Sequence, residues 1–311
     1  MKIVIPGGSG QVGQILRRGL ARNGHEVVIV GRGRHADAQW NGRSGGPWTR
    51  HLEGADVMIN LAGRSVNCRY GARNRREILE SRVLSTYAVG EAVARAANPP
   101  RVWLQASTAT IYAHRYDVPN DDVTGILGGD EPGLPDTWRF SIDVAKAWER
   151  AALESAVPGT RVVRMRSAVV MSPDRGGILD TLLTLVRRGL GGTNGDGRQY
   201  VSWIHEHDFV RAVEWLIAHD ELEGAVNLAS PNPLPNRDFL RALREASGMR
   251  IGLPATRWML ELGALVLRTE TELVLKSRRV VPRRLLDSGF TFQYETWPEA
   301  ARELVTRTRR R

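Results

Sequence analysis

Apolar runs and helical periods alternate along the first half of the chain. Lys2 to Pro6 is a short apolar run that stops at glycines, the pattern of a buried strand. Residues 11–23 put Val12, Ile15, Leu16 and Leu20 on one helical face, and Gly24 marks the stop. Glu26 to Val30 and Asp56 to Leu61 are further strand-length runs. A long helix is predicted over 77–97, closed by Asn98, Pro99 and Pro100. Arg101 to Ala106 reads as a strand, 142–156 as a helix and 161–167 as a strand. This alternation predicts a parallel sheet covered on both faces. Right-handed crossovers then leave one common α/β topology, the doubly wound Rossmann sheet.

After Arg166 the texture changes. Helical patterns at 178–189, 208–218, 236–247 and 256–267 alternate with loops rich in Gly and Pro, and Ala225 to Leu228 is a lone strand candidate. The chain is therefore expected to divide into a nucleotide-binding domain, 1–166, with 204–220 packing back on it, and a smaller, mainly helical substrate-side domain, 167–311. Pro119 to Pro135 is long, polar and rich in glycine, which suits an active-site loop.

Composition narrows the class. The 311 residues are 42% hydrophobic and 25% charged, ordinary globular usage that excludes a disordered chain. No run reaches the roughly 18 apolar residues of a membrane span. A single cysteine, Cys68, and the absence of a cationic leader point to a reducing cytoplasm. The net charge is +10, and only Lys2, Lys146 and Lys276 are lysines, so 41 of the 44 basic residues are arginine. No nucleic-acid motif accompanies this charge, which reads mainly as arginine spread over solvated faces. A small-molecule partner is expected rather than nucleic acid or a membrane.

The chemistry begins at the end of the first strand. Gly7, Gly8, Ser9, Gly10, Gln11, Val12 and Gly13 form a glycine turn that opens a helix. Glycine lets the backbone turn tightly and approach a pyrophosphate, while the helix N-terminus offers free N–H groups to its charge. The second strand ends in Gly31, Arg32, Gly33 and Arg34. An acidic residue there would bind a ribose 2′-hydroxyl, whereas a guanidinium binds a 2′-phosphate. NADP(H) is therefore expected over NAD(H), with Arg32 as the reader. Asn60, Leu61, Ala62 and Gly63 close the next strand with small residues that let a cofactor ribose pass.

Together with Ser107-Thr108-Ala109-Thr110-Ile111-Tyr112, these motifs resemble an extended short-chain dehydrogenase/reductase. The closer resemblance is to an atypical, sugar-nucleotide epimerase-like group. It is carried by Ile59 to Gly63, Arg76 to Val83, Ala147-Trp148-Glu149 and Gly197 to His205, and by a C-terminal stretch through Pro282 to Leu285 and Gly289-Phe290. That stretch is similar to the group's small C-terminal domain of unassigned function.

The resemblance implies hydride transfer with a nicotinamide cofactor, and often a helical homodimer interface. It implies that Thr108 holds the substrate oxygen, that Lys146 holds the nicotinamide ribose, and that Ser107 lies on the cofactor. The superfamily's proton-transferring tyrosine should stand four residues before Lys146, where this chain has Ile142. Asp143, Tyr112, Tyr116 and Asp117 are the nearby replacements to consider. On the substrate side the resemblance points to Tyr112, Arg166, Gln199, Tyr200, Trp203 and Arg283. His205 and His207 have no partners at metal-ligand spacing, so no metal is expected. Without the tyrosine, a silent dinucleotide-binding sensor is the alternative to an enzyme.

Overall fold

The computed structural model describes residues 1–34, 36–256, 258–261 and 270–309. Seven parallel strands form its central sheet: β1 (Lys2–Pro6), β2 (Glu26–Gly31), β3 (Ala38–Gln39), β4 (Val57–Asn60), β5 (Val102–Thr108), β6 (Arg161–Ser167) and β10 (Gly224–Leu228). Their spatial order is β10-β6-β5-β4-β1-β2-β3. The order reverses between β1 and β4, and the crevice outside the strand ends at such a reversal is where open α/β sheets bind ligands.

Alternation along each strand divides the core between the two faces. Ile3, Ile5, Ile29, Ile59 and Leu104 pack with helices α1 (Gln11–Arg22) and α5 (Glu206–Ala218). Val4, Val28, Val30, Met58 and Trp103 pack on the other face with Ala88, Val89 and Val93 of α2 (Ala72–Arg95). Both faces are dry, which is why these strands read as continuous apolar runs. Helix α5 lies close on α1 because Gly19 has no side chain: a Cβ there would sit 2.6 Å from Val210.

Several boundaries differ from the sequence reading. Helix α2 starts at Ala72, before the expected 77, because its first turn is polar and arginine-rich and shows no apolar period. Helix α3 spans Asp136–Glu154 and begins directly after Pro135, six residues ahead of the expected start. The lone strand candidate is β10, hydrogen-bonded in register to β6, so the central sheet draws on chain beyond residue 166. Of the helix expected at 256–267, residues 258–261 are helical, residue 256 is not, and 257 and 262–267 lie outside the described residues.

The smaller layer joins α4 (Ile178–Arg187), α6 (Asn236–Ser247) and the C-terminal helix Trp297–Arg309 around Leu183, Phe239, Leu243 and Leu304. Two small sheets link it to the rest: β7 (Val169–Met171) with β9 (Trp203–His205), and β8 (Tyr200–Val201) with β11 (Leu234–Pro235). The segment between Pro119 and Pro135 contains no helix. It is pinned near its start, by Asn120 N–H to Arg279 O at 2.7 Å, and near its middle, by Gly128 N–H to Ile111 O at 2.9 Å.

One buried charge holds β5, β6 and α3 together. The Glu149 carboxylate accepts two bonds from Arg166 at 2.8 Å each, one from Arg164 at 3.0 Å and one from the Ser107 hydroxyl at 2.6 Å. Arg166 also donates to the Tyr112 hydroxyl at 3.0 Å, and that hydroxyl donates to Asn227 Oδ1 at 2.8 Å. Burial alone would push the Glu149 carboxyl up, but its arginine and serine partners outweigh this and hold it below the ordinary range. Removing one member of a buried pair leaves a charge with neither water nor partner. Glu149→Ala should therefore cost about 3–5 kcal/mol in urea unfolding, and Glu149→Leu combined with Arg166→Met should cost less than Glu149→Ala alone. An additive or larger loss in the double variant would contradict this account of the network.

Candidate active site

The β1–α1 turn is built around close backbone contacts. Gly7 has φ +78°, and a Cβ on it would overlap the Ala62 backbone N. A Cβ on Gly8 would lie 2.7 Å from Ile29 Cδ1, and one on Gly13 would overlap the Gly8 carbonyl oxygen. Gly10 differs: its nearest neighbour to a Cβ is 3.9 Å away, so it is bare for access rather than for packing. It caps α1, whose first turn carries no acid and no side-chain cap. The N–H groups that open a helix have no partner inside it and favour negative charge. Ser9, Gly10 and Gln11 are exposed, while Val12 turns into the core. This cradle fits a dinucleotide's diphosphate.

Gly31 ends β2 against Ser9, whose Oγ would be 3.0 Å from a Cβ there. Arg32 is exposed and has no hydrogen bond or ion pair among the described residues. The nearby carboxylate, Asp37, is already used: it accepts from Ile29 N–H at 2.8 Å and pairs with Arg17 at 3.2 Å. At the end of β4, Leu61 N–H donates to Pro6 O at 2.8 Å, and Ala62 N–H donates to the buried Asn60 Oδ1 at 3.1 Å. Gly63 is exposed beside Arg82.

Past the end of β5 lies a cavity of about 120 Å³ whose walls include Arg82, Thr108, Tyr70, Ser141, Trp148 and Glu272. Two larger hollows, about 430 and 490 Å³, lie along the far part of α2, away from the strand ends. Thr108 Oγ accepts from Thr110 N–H at 3.2 Å, which leaves its own O–H to donate. Lys146 is half-buried; a Cβ on Gly129 would lie 3.1 Å from its Nζ, and it has no ion pair among the described residues. Ile142 is fully buried, with its Cδ1 2.9 Å from where a Gly128 Cβ would stand. The loop thus seals the position that the superfamily's tyrosine would occupy.

Other expected residues are placed elsewhere. Ser107, Tyr112 and Arg166 turn into the Glu149 network rather than toward the cavity. Gln199 is buried and bonds the Asn194 and Val274 carbonyls at 3.0 and 3.3 Å. Trp203 is fully buried beside Trp297. Tyr200 stacks under Arg279, and Arg283 stands half-exposed near Asp121 and Asp287. Asp143 is exposed.

Three buried groups were given no site role in the sequence reading. Tyr70 faces the cavity, and burial with the nearby Glu272 charge pushes its hydroxyl up to about 12. Glu272 pairs with Arg278 at 2.5 Å and accepts from Ser141 at 3.3 Å. Lys276 is 1% exposed and donates to Thr110 O at 2.6 Å; burial and the Arg278 charge push its ammonium down to about 7. Its signal was rarity, as one of three lysines.

Comparison with known proteins agrees with this geometry. Residues 3–229 match the family model described as the NAD dependent epimerase/dehydratase family. The chain belongs to that family. Residues 255–304 match a second model, a domain of unknown function. An epimerase family protein of Mycobacterium bovis is 31% identical, over 98% of each chain. The epimerase family protein SDR39U1 of Bos taurus is 29% identical, over 98% of this chain and all of its own. The crystal structure of human SDR39U1 (isoform 2) with NADPH superposes with a TM-score of 0.84 at 27% identity, covering 98% of this chain and 99% of that one. The resemblance read from the motifs is therefore correct at the level of family.

The Lys276 environment has a measurable consequence. Its ammonium titrates lower in the fold than in the unfolded chain, so between about pH 7 and pH 10 the unfolded chain holds the extra proton. Wild-type stability relative to Lys276→Met should accordingly rise with pH across that window, by up to about 1.4 kcal/mol per pH unit. Urea titrations at pH 7, 8 and 9 test this; a difference that is flat with pH contradicts it.

Proposed function

We propose that this family member binds NADP(H) and transfers hydride between it and a small carbonyl or alcohol substrate held in the cavity beyond β5. Arg32 carries the cofactor half of this reading. It is a guanidinium open to solvent at the end of β2, the site that meets the 2′-position of an adenosine ribose, and the nearest acid is tied up elsewhere. The human relative solved with NADPH supports the same preference.

When bound, the nicotinamide supplies or accepts the hydride. The chain's own part is to orient and to hold. The open first turn of α1 takes the diphosphate charge. Lys146, one turn of α3 beyond Ile142, holds the nicotinamide ribose. Thr108 donates its O–H to the substrate oxygen, its lone pair already fixed by Thr110 N–H. Ile142 moves no proton, so the substrate proton exchanges with water or with a hydroxyl of the cavity wall.

The sealed Ile142 also favours a second reading, a member that binds the dinucleotide without turning it over. Fluorescence titration with NADPH and NADH, followed by a panel of carbonyl compounds, separates the two. Arg32→Ala should weaken NADPH by roughly tenfold to a hundredfold, the worth of a lost charge-assisted bond, and leave NADH unchanged. Equal affinity of the wild type for both cofactors contradicts the role of Arg32. NADPH oxidation that Thr108→Ala lowers at least about tenfold supports the enzyme. Tight binding with no oxidation across the panel supports the silent binder.

A further inference from the structure

The Arg82 guanidinium is unlike the other buried arginines of this chain. Arg166 and Arg164 share Glu149, and Arg278 has Glu272. Among the described residues Arg82 has no carboxylate partner: its one hydrogen bond there runs from NH1 to Ile78 O at 3.0 Å, a turn back on its own helix. Its planar head lies 5.0 Å from the Trp148 ring and beside Gly63, where a Cβ would stand 3.3 Å from it. A guanidinium has five N–H donors, and most of these remain unspent. The unpartnered Nε and NH2 are not sealed from solvent, and Arg82 lines the cavity.

Acids near it in the sequence have other partners: Glu77 pairs with Arg64 and Arg73, and Glu80 with Arg43. Glu272, which lines the same cavity, pairs with Arg278. Burial with no paired anion disfavours the charged form and pushes Arg82 down to about 10. Arg82 is only partly buried, so water meets part of this cost, and an oxyanion would meet it more fully. The cavity's size fits the missing partner. At about 120 Å³ it holds a few waters, each taking about 30 Å³ of liquid volume, or one oxyanion group. Apolar walls of Ile78, Phe140 and Val144 weaken the competition from solvent, and Thr108 brings a hydroxyl to the same space.

We propose that Arg82 is the anion-binding residue of this cavity, receiving a carboxylate or phosphate group of the substrate while Thr108 holds its reacting oxygen. The proposal rests on the reading of the cavity as the substrate site. It narrows the substrate class to small carbonyl or alcohol compounds that carry an oxyanion. Trp148 keeps the guanidinium plane in place, and a fixed plane favours two parallel bonds to one oxyanion over a single point contact.

Two other sources of the same chemistry are separated by the test. The first is the dinucleotide's own phosphate; the second is a purely structural arginine. Inorganic phosphate and acetate serve as probes, added to protein already saturated with NADPH so that the α1 cradle is filled. Binding is read by calorimetry and by the shift in Tm, for wild type, Arg82→Met and Arg82→Lys. Arg82→Met keeps an unbranched apolar side chain of similar reach beside Gly63 and should unfold at or above the wild-type temperature without probe, since it removes an uncompensated charge. It should bind the better probe at least tenfold more weakly and NADPH within twofold of wild type. Arg82→Lys should keep part of the probe affinity.

Probe binding equal in wild type and Arg82→Met, or absent from both, overturns the proposal. A tenfold loss of NADPH affinity in Arg82→Met also overturns it, because the anion then belongs to the dinucleotide. A marked drop in Tm for Arg82→Met without probe overturns it in favour of a structural role. If wild type fails to bind NADPH, the dinucleotide reading falls, and the probe comparison without NADPH still decides whether Arg82 binds an oxyanion.

Discussion

The close approach of the β1–α1 turn to the end of β4 is the constraint on which the rest of the site depends. Gly7 lies so near the Ala62 backbone that no side chain fits between them, and Leu61 N–H reaches across to Pro6 O. That contact sets the crevice at the point where the strand order reverses. It aims the open end of α1 at the crevice, leaves Gly10 bare, and brings the end of β2 with Arg32 alongside. The Asn60 side chain locks the same corner from below, bonding Ala62 N–H on one side and Gln105 on the other. A pocket for a long, charged cofactor is thus made almost wholly of backbone, and the side chains around it are free to choose which cofactor enters.

Beyond the crevice the chain keeps part of the superfamily's apparatus and closes off another part. In the proposed function Lys146 supplies the orienting ammonium and Thr108 the orienting hydroxyl. The place between them is filled by Ile142 and covered by the loop that Gly128 and Gly129 carry. Under the proposed hydride transfer, acid–base work would fall to the cavity wall or to water. The wall carries several ionisable groups, Arg82, Tyr70 and Glu272, and Lys276 bonds the Thr110 carbonyl nearby. Glu272 and Lys276 both come from the C-terminal region matched by the second model, so this small region helps to line the cavity as well as to pack beside it.

Much of this was legible in the residues. Alternation and glycine stops located β1, α1 and β2 because a buried parallel strand and an amphipathic helix leave different periods. The family followed from motifs whose spacing is tied to backbone geometry. Side-chain direction was harder to read. Arg166 sits near the end of β6 and Tyr112 just past the turn after β5, where substrate contacts are expected, yet Arg166 turns to Glu149 and Tyr112 to Arg166. Ser107 turns the same way, while Thr108, one residue on, turns to the cavity. Pairings over 163 residues, such as that of His114 with Ser277, leave no local pattern to detect. Arg82 was visible within a motif, but its lack of an acid emerges only when every neighbouring acid is seen to be taken.

A crystal structure of the chain grown with NADPH tests the central claim most directly, because it locates the cofactor against each element at once. The account predicts the diphosphate on the first-turn N–H groups of α1 and the 2′-phosphate on Arg32. It also predicts the nicotinamide ribose within hydrogen-bond distance of Lys146, with Arg82 left facing the unfilled part of the cavity. A dinucleotide bound away from the β1–β4 crevice, or a 2′-phosphate that extends into solvent without meeting Arg32, would contradict it.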